Sequence, residues 1–122
     1  MSEAASHPGA GVPLSAEDTK LVTLARSARA RTRAAQGAAV RDLDGRTYAG
    51  ATVALPSLQV SAVGVAVVMA VASAARGLEA VAVVGGDAVD GADLAAVRDL
   101  AGPDVPVLRC APDGTVAERL VT

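Results

Sequence analysis

The chain has 122 residues, 52% hydrophobic and 20% charged, with a formal net charge of −2; this describes one globular domain and excludes a disordered polymer or a polycationic nucleic-acid binder. One cysteine excludes an internal disulfide framework and suits a reducing cytoplasm, while one histidine, one tyrosine and no tryptophan or phenylalanine leave little for proton shuttling, soft-metal ligation or ring stacking. The apolar content is mostly Ala, Val and Leu, whose small side chains each bury little area, so a homo-oligomer (dimer or tetramer) is expected, with a further protein partner left open and no nucleic-acid or membrane partner.

Residues 1–13 mix Gly, Pro, Ala and Ser without periodicity and read as a disordered leader that includes His7. They lack the basic segment and apolar run of a signal peptide. The domain is expected over residues 14–122. Ser15, three residues before Asp18, is a capping-box arrangement opening a helix to about Arg33, with Leu14, Leu21, Leu24, Ala25 and Ala28 as its apolar stripe. Arg26, Arg29 and Arg33 share one face near Arg31. Without an aromatic platform on a net-acidic chain, they read as a solvated surface, not a phosphate or RNA site. Gly37 ends this region.

Ala38 to Asp42 and Thr47 to Val53 read as strands joined by the Asp42-Leu43-Asp44-Gly45 turn, with Tyr48 as a packing residue. After Pro56-Ser57 comes the most apolar element, Leu58 to Ala75. It is rich in valine, but its length predicts a helix buried on nearly every side, with Ala62, Ala66, Ala70 and Ala74 as a ridge and Gly77 as its stop. Ser57, Ser61 and Ser73 and the lack of aromatic anchors argue against a membrane span.

Glu79 to Val84 is a short apolar strand. Gly85-Gly86-Asp87 follows it but lacks Gly-x-Gly-x-x-Gly spacing and a phosphate-loop lysine, so it reads as a turn. A helix from about Gly91 to Ala101 stops at Gly102-Pro103. Val105 to Ala111 is a buried strand holding Cys110 as a small apolar residue, and Pro112-Asp113-Gly114 turns the chain into a last strand, Thr115 to Val121. Strand-helix-strand units in this order predict an α/β fold: a mixed five-stranded sheet with helices on both faces.

The element order and four stretches resemble the cytidine deaminase family. Ala25-Arg26-Ser27-Ala28-Arg29 is similar to the family's first helix and Gly37-Ala38-Ala39-Val40 to its first strand. Asp44-Gly45-Arg46, with Gly50 and Val53, resembles its hairpin, and Pro112-Asp113-Gly114 the turn before its last strand. The resemblance covers residues 17–121 and implies a cytidine deaminase-like α-β-α sandwich. It also implies the family's chemistry, zinc-assisted hydrolysis of an exocyclic amine with a glutamate carrying the proton.

The positions that carry that chemistry depart from the family's pattern. Counting from Gly50, the ligand position of the central helix falls on Val63 and the proton-carrying position on Val65. The paired cysteine positions of the next helix fall on Asp90 and Asp93, and the ribose-holding Asn and Glu on Thr52 and Ala54. Only His7 and Cys110 offer nitrogen or sulfur elsewhere. The expectation is a bacterial-type, catalytically inactive relative without zinc or other cofactor, acting through oligomer assembly or partner binding. Two alternatives stay open: an active cytidine or nucleoside deaminase with a non-standard metal site on Asp90 and Asp93, and a non-catalytic nucleoside or small-molecule binder. On the residues alone, Asp90 reads as a helix cap and Asp93 as a first-turn carboxylate favoured by the helix dipole.

Overall fold

The computed structural model describes residues 13–122. All of the expected leader but Pro13, His7 included, lies outside the described residues. In chain order the elements are α1 (Ala16–Thr32), β1 (Gly37–Asp42), β2 (Thr47–Ala51), β3 (Val53–Leu55), β4 (Leu58–Val60), α2 (Ala62–Ala72), β5 (Leu78–Val84), α3 (Gly91–Ala101), β6 (Pro106–Cys110) and β7 (Val116–Val121). Five strands form one mixed sheet in the order β2-β1-β5-β6-β7, in which only β5 and β6 run parallel. The helix α3 makes that parallel crossover, as a parallel pair requires.

Alternation along the central strands divides the core into two layers. Ala38, Val40, Val81, Val83 and Val107 pack with Ala62, Val63, Ala66 and Ala70 of α2 and Val97 of α3. Ala39, Ala80, Ala82, Val84, Leu108 and Cys110 face the other way, against Leu21, Val22 and Ala25 of α1. Helices therefore cover both faces of the sheet, as expected.

Local chemistry explains where the elements start. Ser15 Oγ accepts the Asp18 N–H at 3.0 Å, and Glu17 and Asp18 complement the dipole of the first turn of α1. Arg33, at φ 54°, ends that helix where the sequence puts its end, and Gly37 is the first residue of β1.

Four expectations are corrected. The long apolar element begins as strand: Val53↔Val60, Ala54↔Gln59 and Leu55↔Leu58 pair across a loop at Pro56-Ser57. The helix starts only at Ala62, where Ser61 Oγ takes the Gly64 N–H, and ends at Ala72 rather than Ala75. Thr52 leaves the main sheet, so the second strand stops at Ala51. The helix α2 is not buried on every side, because Val68, Met69 and Val71 are 50–60% exposed within the single chain. The alanine ridge is Ala62, Ala66 and Ala70, fully buried in the chain's own core, while Ala74 lies beyond the helix at φ 65°. A leucine at Ala66 would therefore overpack this core and strain the fold itself, rather than probe an interface between subunits.

The β1–β2 turn is built on Asp42, which is 2% exposed. Its Oδ1 accepts the Asp44 and Arg46 N–H groups and its Oδ2 the Tyr48 hydroxyl, all at 2.9 Å. Burial works to raise its pKa, but the Tyr48 hydroxyl, the two backbone N–H groups and the nearby Arg46 charge outweigh that and hold it below the usual carboxylate range. A depressed folded-state pKa contributes stability that is complete above the unfolded value of about 3.9 and is lost as pH falls through the folded value. Urea midpoints measured from pH 6 to pH 2 should fall through that acid window, and Asp42→Asn should flatten the fall while lowering the midpoint at neutral pH.

Candidate functional site

A cleft of about 430 Å³ opens where the α1–β1 loop, the β2–β3 junction, the β3–β4 hairpin and the β5–α3 loop meet. Ala35, Gln36, Thr52, Val53, Ala54, Gln59, Val60, Ser61, Gly86 and Asp90 line it. Its rim is set by a hydrogen-bonded knot. Thr52 N–H donates to Gln36 O at 3.1 Å, and Gln36 N–H donates to Thr52 Oγ1 at 3.1 Å. The Gln36 amide donates through Nε2 to Gly85 O at 2.9 Å, holding the β5–α3 loop across the sheet end. Arg29 Nε donates to Ala35 O at 3.1 Å, so this arginine anchors the rim instead of standing on a purely solvated face.

The structure gathers Thr52, Ala54 and Asp90 at this cleft. Val63 and Val65 lie behind it. Val63, in the first turn of α2, is 1% exposed and belongs to the core. Val65 is half-buried against β2: a Cβ added at Gly50 would stand 2.8 Å from Val65 Cβ. Asp90 occupies the N-cap position of α3, but its side chain makes no capping bond, which corrects its expected role as a side-chain cap. Asp93, 9% exposed, accepts a 2.6 Å hydrogen bond from Ser61 Oγ across the gap between the starts of α2 and α3. Ser61 is a site residue that sequence reasoning missed, as are the bonds that Gln36 makes. Ser61 had a signal, a serine three residues before Gly64 at the edge of an apolar run.

Among the described residues, no group of three or more His, Cys, Asp or Glu converges in a way that would hold a metal ion. The donors at the two helix starts are carboxylates and a hydroxyl, and Asp93 Oδ1 is already committed to Ser61. A zinc site needs at least three protein donors, most often thiolates and imidazoles, so two carboxylates and a hydroxyl do not fit the family's metal. Cys110 lies on the opposite face of the sheet, and burial pushes its thiol up to about 11. With so little thiolate at neutral pH and no exposure, native protein should react with a thiol-specific reagent far more slowly than urea-unfolded protein, as absorbance would show.

Two other features bear on what the chain contacts. Leu55 and Leu58 of the hairpin are more than half exposed, as are Val68 and Val71 of α2, a helix with no charged residue along its length. Among the described residues, no helix is long and apolar enough to cross a membrane.

No curated protein matches the chain. Among solved structures, it is similar to a cytidine deaminase from Burkholderia pseudomallei at 28% identity and a TM-score of 0.71, covering 84% of this chain and 89% of that one. A cytidine deaminase from Mycobacterium leprae aligns at 21% identity and a TM-score of 0.67, covering 84% and 90%. One from Mycobacterium tuberculosis aligns at 23% identity and a TM-score of 0.67, covering 76% and 85%; these last two likenesses speak for the fold. A family model described as cytidine deaminase-like matches residues 14–114, and with that span and this architecture the chain belongs to the cytidine deaminase-like family.

Proposed function

We propose that this chain is a member of the family without zinc-dependent deamination, acting in the cytoplasm by assembling with copies of itself through the outer face of α2. The observation that carries the first half is Val63, an aliphatic side chain sealed in the core at the position where the resemblance puts a metal ligand. Val65 offers no proton carrier at the position assigned to the family's glutamate. Thr52 and Ala54 stand where the resemblance expects the ribose contacts, with Thr52 engaged by Gln36. What supports assembly is the uncharged α2, which turns Val68, Met69 and Val71 outward. Soluble proteins rarely leave a contiguous apolar surface of this kind uncovered.

Metal analysis and a cytidine deamination assay on untagged protein test the first half. Zinc well below one equivalent and no turnover are expected, whereas stoichiometric zinc with turnover lost on Asp93→Ala would establish an active enzyme with a non-standard site. Sedimentation velocity tests the second. The chain should sediment at a small multiple of 12.0 kDa, and Val68→Glu with Val71→Glu should give a folded monomer. A monomeric parent protein would remove assembly from the reading.

The cleft favours a second reading, binding of a small polar molecule without chemistry. It keeps about 430 Å³ and a set of neutral hydrogen-bonding groups in Gln36, Thr52, Gln59 and Ser61. A thermal-shift series with nucleosides would raise the melting temperature if one of them binds.

A further inference from the structure

The helices α2 and α3 meet at the edge of the cleft. Val67 and Val71 of α2 and Ala96 and Leu100 of α3 line a groove of about 380 Å³. The starts of the two helices are joined by Ser61 and Asp93.

We infer that the Ser61–Asp93 hydrogen bond is a non-metal pin that fixes the starts of α2 and α3 against each other, where the resemblance expects a zinc ion to tie the same two helix starts. Residues 32 apart in sequence meet at 2.6 Å. That length lies in the 2.5–2.7 Å range of O–H···O⁻ bonds with a charged acceptor, which are roughly twice as strong as neutral ones. The hydroxyl is fixed from both sides, because it donates to Asp93 Oδ1 while accepting the Gly64 N–H at 2.9 Å. Asp93 also stands in the first turn of α3, where the helix dipole favours its negative charge. One serine therefore caps α2 and reaches α3 together. A metal would need Asp93 free of this bond and further donors beside it; the facing position, Val63, supplies packing alone.

The inference rests on the metal-free reading of the site, and its test separates the two. A double-mutant cycle with Ser61→Ala and Asp93→Ala, read by thermal unfolding, isolates the pair from the capping bond that Ser61→Ala also removes. Each single variant should lower the melting temperature by roughly 4–8 °C. The double variant should fall short of the sum of the two by several degrees. Ser61→Thr, which keeps the hydroxyl, should melt close to the parent, and EDTA should leave the parent's melting temperature unchanged. Additive shifts would overturn the pin alone. A chelator-sensitive melting temperature, or stoichiometric zinc, would overturn both the pin and the metal-free reading. If Asp93→Ala does not fold, the cycle is run with Asp93→Asn: a smaller coupling of the same sign supports the pin, and no coupling overturns it.

Discussion

Gly37→Ala is expected to unfold this domain or leave it barely stable, although it adds one methyl group. A Cβ at Gly37 would collide with Ala25 O and stand 2.7 Å from Arg29 N and 2.8 Å from Arg29 Cβ. Two of those three neighbours are helix backbone, which cannot rotate away as a flexible side chain would. The strand cannot retreat either, because Gly37 is paired with Ala51 on one side and Val84 on the other. Overpacking a well-filled core costs about 1–3 kcal/mol, and more when backbone must move. A domain of this size holds only about 5–15 kcal/mol in total. Urea denaturation read by circular dichroism should show a midpoint collapsed toward zero or no folded baseline. Gly91→Ala is the control: a Cβ there meets nothing within 4 Å, and the variant should be neutral or slightly more stable.

Much of the scaffold was legible because local signals and the global fold agree. The Ser15 cap, the strand Ala38 to Asp42 and the turn into β7 each carry a residue type with one structural use. The stretch from Leu58 to Ala75 departs from its expected single helix for a physical reason. An unbroken apolar run has no period, so strand and buried helix look alike, and the decision fell to Ser61, whose hydroxyl takes the Gly64 N–H and fixes the helix start. The outward face of α2 was hidden for the same reason, since Val68 and Val71 are chemically the same as the buried Val63. At the cleft, Thr52, Ala54 and Asp90 were reached through the family resemblance. The role of Gln36 is not legible there, because it lies in an amide bond to the carbonyl of Gly85, 49 residues away, and no local pattern announces such a partner.

Gly85→Ala should be the most damaging change at the cleft itself, and it separates the cleft from the core. Gly85 sits at φ +95°, where an L side chain is strained, and an added Cβ would lie 2.6 Å from Ala35 O and 2.7 Å from Arg29 Nε. Left-handed backbone costs a non-glycine residue about 1–2 kcal/mol, and the crowding of the Ala35 carbonyl adds a further 1–3 kcal/mol. Those neighbours are the cleft's own anchors: Arg29 Nε holds Ala35 O, and Gln36 Nε2 holds Gly85 O. The loop must therefore shift away from the rim, which frees Gln36 and widens the space between Ser61 and Gly86. The expected result is a melting temperature lower by roughly ten degrees or more, with faster amide exchange concentrated in residues 34–37 and 85–90. The core strands β1 and β5 should keep their relative protection, because Gly85 lies just past the last paired residue, Val84. Uniform loss of protection across the sheet would instead make this turn part of the core, and the cleft would then have no independent freedom to admit a ligand.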